Sequence, residues 1–163
     1  MYHLDRHCGQ SPWVRPPDGG RAFDVSRSIF VPIHLQIRDG LLEAACHGKV
    51  TAEDLDHIRS VLRDIEARLE VTPDRITDLT SADLTDLSSE DLVVFAEYRR
   101  AATLKNKIKS AMVAAQGTSQ YGLARMFMAH NINPDIELKI FHGPAGAYQW
   151  LGREAKEIGK PRA

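Results

Sequence analysis

The dipeptide Asp39-Gly40 stands between two apolar runs, one centred on Ile33, Leu35 and Ile37 and the other spanning Leu41 to Gly48. A two-residue Asp-Gly link between strand-like runs is a strong hairpin signal, because a type I′ turn needs positive φ at both positions. Gly adopts that conformation freely, and Asp tolerates it better than most side chains. Ile33, Leu35 and Ile37 alternate with polar residues, the pattern of a half-buried strand. The folded part of the chain therefore opens with an antiparallel pair, and every later element must join that sheet or cover it.

The rest of the chain alternates helix and strand. Thr51 caps a helix with Asp54 three residues on, a capping box with Asp in the Glu position. Leu55, Ile58, Leu62, Ile65 and Leu69 form one apolar stripe at steps of three and four, so this helix lies on a sheet with its other face in water. Thr72-Pro73 ends it, and Arg75 to Leu79 reads as a short strand. Ser88 and Asp91 open a second helix, expected to reach about Leu104. A strand over about Ile108 to Ala115, a helix over about Ser119 to His130 and a strand over Ile136 to Phe141 come next. Gly143-Pro144 starts a last helix that carries Tyr148, Trp150 and Leu151. The order β-β-α-β-α-β-α-β-α implies an α/β fold with a mixed five-stranded sheet, mostly parallel, and four helices. Ligands of such sheets gather beyond the carboxyl ends of the strands.

At 163 residues, 43% hydrophobic and 26% charged, the chain suits one domain with tails. Residues 1–30 read as an N-terminal tail, broken by Pro12, Pro16, Pro17, Gly19 and Gly20, with Trp13 and Phe23 as docking residues. The domain is expected over 31–156 and a C-terminal tail over 157–163. No apolar run has the ~18 residues a membrane span needs, and no secretory signal opens the chain. Cys46 reads as a small buried hydrophobe, and with Cys8 far away no disulfide framework is expected. A cytoplasmic location is the expectation. The charge is uneven, with 13 acidic and 4 basic residues over Thr51–Glu97 against 4 acidic and 11 basic over Tyr98–Ala163. Such a split steers a charged partner, favours self-association, or marks only a solvated surface.

Taken together, Gly48-Lys49-Val50-Thr51, Ile76-Thr77-Asp78-Leu79, Leu87-Ser88-Ser89-Glu90-Asp91-Leu92, Ala111-Met112-Val113-Ala114 and Tyr121-Gly122-Leu123-Ala124-Arg125-Met126-Phe127 form an ordered series. Ile140-Phe141, Ala147 and Trp150-Leu151 complete it. In that order and spacing the chain resembles the SpoIIAA-like branch of the STAS/CRAL-TRIO families, over about Ile33 to Gly152. The resemblance implies a small α/β fold of the anti-sigma-factor-antagonist type. It implies modules that are mostly non-enzymatic and bind proteins, small anions or hydrophobic ligands, some of them switched by phosphorylation.

Five groups are candidate sites. The resemblance points to Ser88 or Ser89 as a phosphosite, although the family's Asp-Ser-Ser-Gly-Leu becomes Asp86-Leu87-Ser88-Ser89-Glu90-Asp91-Leu92 here. A helix N-terminus attracts phosphate, whereas Glu90 and Asp91 repel a dianion, and a plain N-cap explains Ser88 equally. Asp78, Asp83 and Asp86 are expected on a loop past a strand end, fit for a hard cation, for acid–base work or for turn chemistry alone. Arg99, Arg100, Lys105, Lys107 and Lys109 form a basic cluster near a helix C-terminus. With a pI near 6.7, nucleic acid is not the expected partner. Tyr121 and Arg125 share one helical face and, with Met126 and Phe127, are expected to rim a ligand pocket. Met128, Phe141, Tyr148 and Trp150 extend that apolar group as core, dimer face or lipid groove. His3, His7 and Cys8 lack a fourth metal ligand in sequence, and His34, His47, His57, His130 and His142 show no ligand spacing.

The leading expectation is a non-catalytic module, without cofactor or metal, that binds a small hydrophobic, amphipathic or anionic ligand or a protein partner, as a homodimer. A phosphorylation-switched antagonist is the second reading. A metal-dependent enzyme using Asp78, Asp83 and Asp86 is the third.

Overall fold

The computed structural model describes residues 32–154. Its elements are β1 (Ile33–Arg38), β2 (Leu41–Lys49), α1 (Ala52–Arg68), β3 (Asp74–Asp83), α2 (Ser89–Arg100), β4 (Ile108–Val113), α3 (Ser119–His130), β5 (Ile136–Phe141) and α4 (Pro144–Trp150). The strands form one five-stranded sheet in chain order, β1-β2-β3-β4-β5. β1 and β2 are antiparallel, and every later pair is parallel. The fold is thus α/β with a mixed sheet and four helices. The tails expected at 1–30 and 157–163, with Trp13, Phe23, His3, His7 and Cys8, lie outside the described residues.

Local chemistry sets the element ends. Asp39 and Gly40 take φ of 51° and 74°, as a type I′ turn requires, and Arg38 faces Leu41 across the pair. Thr51 accepts a bond from the Asp54 N–H at 3.3 Å, and its own N–H donates to the Asp54 carboxylate at 2.8 Å. Ser88 and Asp91 repeat the arrangement on α2, and Thr118 accepts from the Tyr121 N–H on α3. Asn133 donates to the carbonyls of Arg99, Arg100 and Ala102, which stops α2 at Arg100 rather than near Leu104. β4 likewise ends at Val113, short of Ala115. β3 runs to Asp83, well past Leu79, because β2 also continues. Beyond a register shift between Ala45 and His47, Gly48 and Lys49 pair with Ala82 and Asp83.

The pleat divides the core into two layers. Leu42, Ala44 and Cys46 point to one face, where Ile58, Leu62 and Ile65 of α1, Leu92 of α2 and Ala124 of α3 pack. Leu41, Ile76, Ala111 and Val113 point to the other, against Ala147 and Tyr148 of α4 and its cap Leu151. Right-handed crossovers between strands in chain order place each connecting helix on the same side, which puts α1, α2 and α3 in a single layer.

β1 departs from simple alternation, since both Leu35 and Gln36 are buried. Gln36 donates to Glu43 at 2.6 Å, and Glu43 also accepts from Arg38 at 2.8 Å and from the Tyr148 hydroxyl at 3.0 Å. Burial, with Glu43 adding to it, pushes the Tyr148 phenol up to about 12. Arg38, Glu43 and Tyr148 line a recess of about 250 Å³ on the α4 face, together with Arg153 and Glu154.

Candidate functional site

The sheet and the α1–α2–α3 layer do not close fully on each other. They leave a cavity of about 140 Å³. Close-packed interiors hold few voids larger than a water molecule, and an apolar void of about 150 Å³ accepts one benzene-sized molecule. Most of the wall is apolar. Leu35, Leu42 and Ala44 come from β1 and β2, Ile58 and Leu62 from α1. Phe95 of α2 and Phe127 of α3 also line it, and their rings lie 5.7 Å apart. The lining follows from periodicity: α1 presents residues at i and i+4, and β2 presents alternate residues.

Polar lining comes from Arg75, Thr77, Arg99, Ser110 and Asn131. Arg75 stands near the start of β3, and Arg99 in the last turn of α2. Both reach Glu66 of α1: Arg75 Nη2 donates to Glu66 Oε1 at 3.1 Å, and Arg99 Nη2 to the same oxygen at 2.7 Å. Arg99 Nη1 adds a bond to Glu66 Oε2 at 3.1 Å. The two guanidiniums therefore share a single carboxylate in a setting where their side chains keep 10% and 3% of their exposure. Burial, helped by Arg99 and opposed by Glu66, pulls Arg75 down to about 10, so it remains a cation at neutral pH. Arg99 also lies 5.4 Å from the centre of the Tyr98 ring. Two buried atoms at this site, Arg75 Nε and Asn131 Oδ1, have no hydrogen-bond partner. Unpaired polar atoms in an interior are costly, typically ~1–3 kcal/mol each.

Of the four residues expected to rim a pocket, Phe127 alone lines this cavity. Tyr121 and Met126 are half-buried beside Leu79, Leu84 and Ala124, and the Tyr121 ring meets His142 at 5.3 Å. Arg125 projects to solvent on the outer side of α3. Met128 is exposed, while Tyr148, Trp150 and Phe141 belong to the α4 layer.

The acidic trio is not a loop cluster. Asp78 and Asp83 lie within β3, where each accepts from the threonine two residues on, Thr80 and Thr85, at 2.6 Å. Those bonds hold the Asp83 carboxyl below its ordinary range. Asp86 pairs with Lys49 at 3.3 Å. Among the described residues no group of three or more His, Cys, Asp or Glu side chains is placed to hold a metal ion.

Ser88 and Ser89 are exposed at the start of α2. The Ser88 hydroxyl donates to Asp91 at 2.7 Å and accepts from its N–H at 3.1 Å, so a phosphate on Ser88 would displace the cap and face Asp91 directly. The basic cluster disperses. Arg99 is buried on Glu66, Lys105 donates to the carbonyls of Ala67 and Leu69, and Lys109 donates to the Trp150 carbonyl with its ammonium 5.1 Å from the ring centre. Arg100 and Lys107 are exposed.

Arg75, Glu66 and Asn131 were not legible as site residues. The available signal was Leu123, Ala124, Phe127 and Asn131, a spacing that fits one inner face of α3 and leaves Arg125 outside it. Among the described residues, no helix is long and apolar enough to cross a membrane. No protein-family model, no curated protein and no solved structure matches this chain.

Proposed function

We propose that this chain is a non-catalytic module of SpoIIAA/STAS type that binds a small apolar or amphipathic molecule between its sheet and the α1–α2–α3 layer. The cavity of about 140 Å³, walled by Leu, Ile and Phe side chains, carries the reading. A well-packed core of this size has no structural use for such a void, since each unfilled lining atom loses dispersion contacts. A ligand restores them. The chain-order sheet with three helices on one face supports the family resemblance, and α4 leaves that layer undisturbed.

Native mass spectrometry of gently purified protein tests the reading. The expected spectrum shows an added mass that disappears on denaturation, and it reports whether the protein is a homodimer. Toluene, added to protein that carries no such mass, is expected to raise the unfolding temperature. A bare chain that toluene leaves unchanged would overturn the binding reading. Reproducible turnover of the bound molecule would overturn the non-catalytic one.

A further inference from the structure

We propose that the ligand is a small monocarboxylate, an aryl or alkyl acid with a hydrocarbon part of benzene size, whose carboxylate is held by Arg75 and Arg99 inside the cavity. This rests on the binding reading above and names its ligand class.

Charge is the first argument. Arg75 and Arg99 bring two positive charges to the cavity wall, and Glu66 returns one negative charge to both. The trio keeps one positive charge in excess, away from water. A monoanion balances it, whereas a phosphate dianion overshoots and fills more of the space with polar atoms. Valence is the second argument. Arg75 Nε is a buried donor with nothing to donate to. It belongs to a guanidinium whose planar fork matches a carboxylate edge. Asn131 Oδ1 is an unpaired acceptor on the same lining, matched to a hydroxyl or amide N–H elsewhere on the ligand. Size and polarity are the third. With the head on the arginines, the remaining walls offer Leu35, Leu42, Ile58, Leu62, Phe95 and Phe127, which suit a ring or a short alkyl chain and nothing charged. A long-chain fatty acid exceeds 140 Å³.

Isothermal titration calorimetry with phenylacetate, 2-phenylethanol and toluene tests this. The three share a ring, and only the first has a charged head. Phenylacetate is expected to bind at least about tenfold more tightly than the alcohol, the size of a charge-assisted hydrogen bond. Arg75→Met leaves the Arg99–Glu66 pair intact and should remove that preference while toluene still binds. Should Arg75→Met fail to fold, Arg75→Lys keeps the charge without the fork and should still reduce the preference severalfold. Ala44→Ile, which fills the cavity, should abolish binding of all three. Equal affinities for phenylacetate and 2-phenylethanol would overturn the carboxylate assignment and leave the cavity reading standing. A preference that survives both Arg75 variants, or phenylacetate binding that survives Ala44→Ile, would also overturn it. If none of the three binds the wild-type protein, the binding reading falls as well.

Discussion

Cys46 shows how much one buried side chain reports. Burial pushes its thiol up to about 12, and the nearby Asp78 carboxylate adds to the shift. In a Cys8→Ser background, iodoacetamide at about pH 8 is expected to leave the folded chain unlabelled and to label the urea-unfolded chain fully. The sign of the pH effect follows from linkage. The unfolded thiol ionises near its ordinary value of 9.0, whereas the folded one waits until about 12. Between those values the unfolded chain holds fewer protons, so stability falls as pH rises. Tyr148, raised from 10.0 to about 12, acts in the same direction. Urea midpoints should therefore drop between about pH 8 and about pH 10.5, and Cys46→Ala should drop less. Two arginines mark the limits of reading single residues. Arg125 carried the signal of a conspicuous spacing from Tyr121, yet it points to water. Arg75 carried none, since it stands in the sequence only as the first residue of a short strand after Thr72-Pro73. Its burial depends on Glu66 and Arg99, which lie nine and 24 positions away in the chain.

At the scale of elements, termini were legible wherever a side chain closes them. Thr51 with Asp54 and Ser88 with Asp91 stand where the sequence places them. Thr51→Ala removes the bond to the Asp54 N–H and should lower stability by about 1 kcal/mol, or about 2–4 °C in Tm, read by thermal denaturation. Where an end depends on a partner strand, sequence was silent. Thr80 to Asp83 has the composition of a loop, and it is strand because β2 continues past its own irregularity to pair with it. The short α2 has the same origin, since the Asn133 amide that binds its last carbonyls arrives from beyond α3. Hydrophobic periodicity identifies which face of a helix is inward. It does not reveal whether the inward faces meet without a gap, and so the cavity was not readable from any single element.

For the molecule as a whole, the ion trio that joins α1, α2 and β3 is the most sensitive point. Glu66→Gln leaves two buried guanidiniums facing each other and should cost about 3–5 kcal/mol, whereas Arg75→Met leaves a balanced pair and should fall within about 1 kcal/mol of wild type. Urea unfolding of the two variants checks the asymmetry, which a surface ion pair would not show. The strand order has a further consequence. Because every strand lies beside its neighbour in sequence, no long excursion separates partners, and loop closure is inexpensive throughout. The molecule is a spiral stair in which each step rests on the one before. The α1 and α2 steps form two sides of the chamber, and α3 supplies the last, through Leu123, Ala124 and Phe127. Peeling back the upper end of the stair would unroof the chamber while its first turns, β1 and β2, stayed joined.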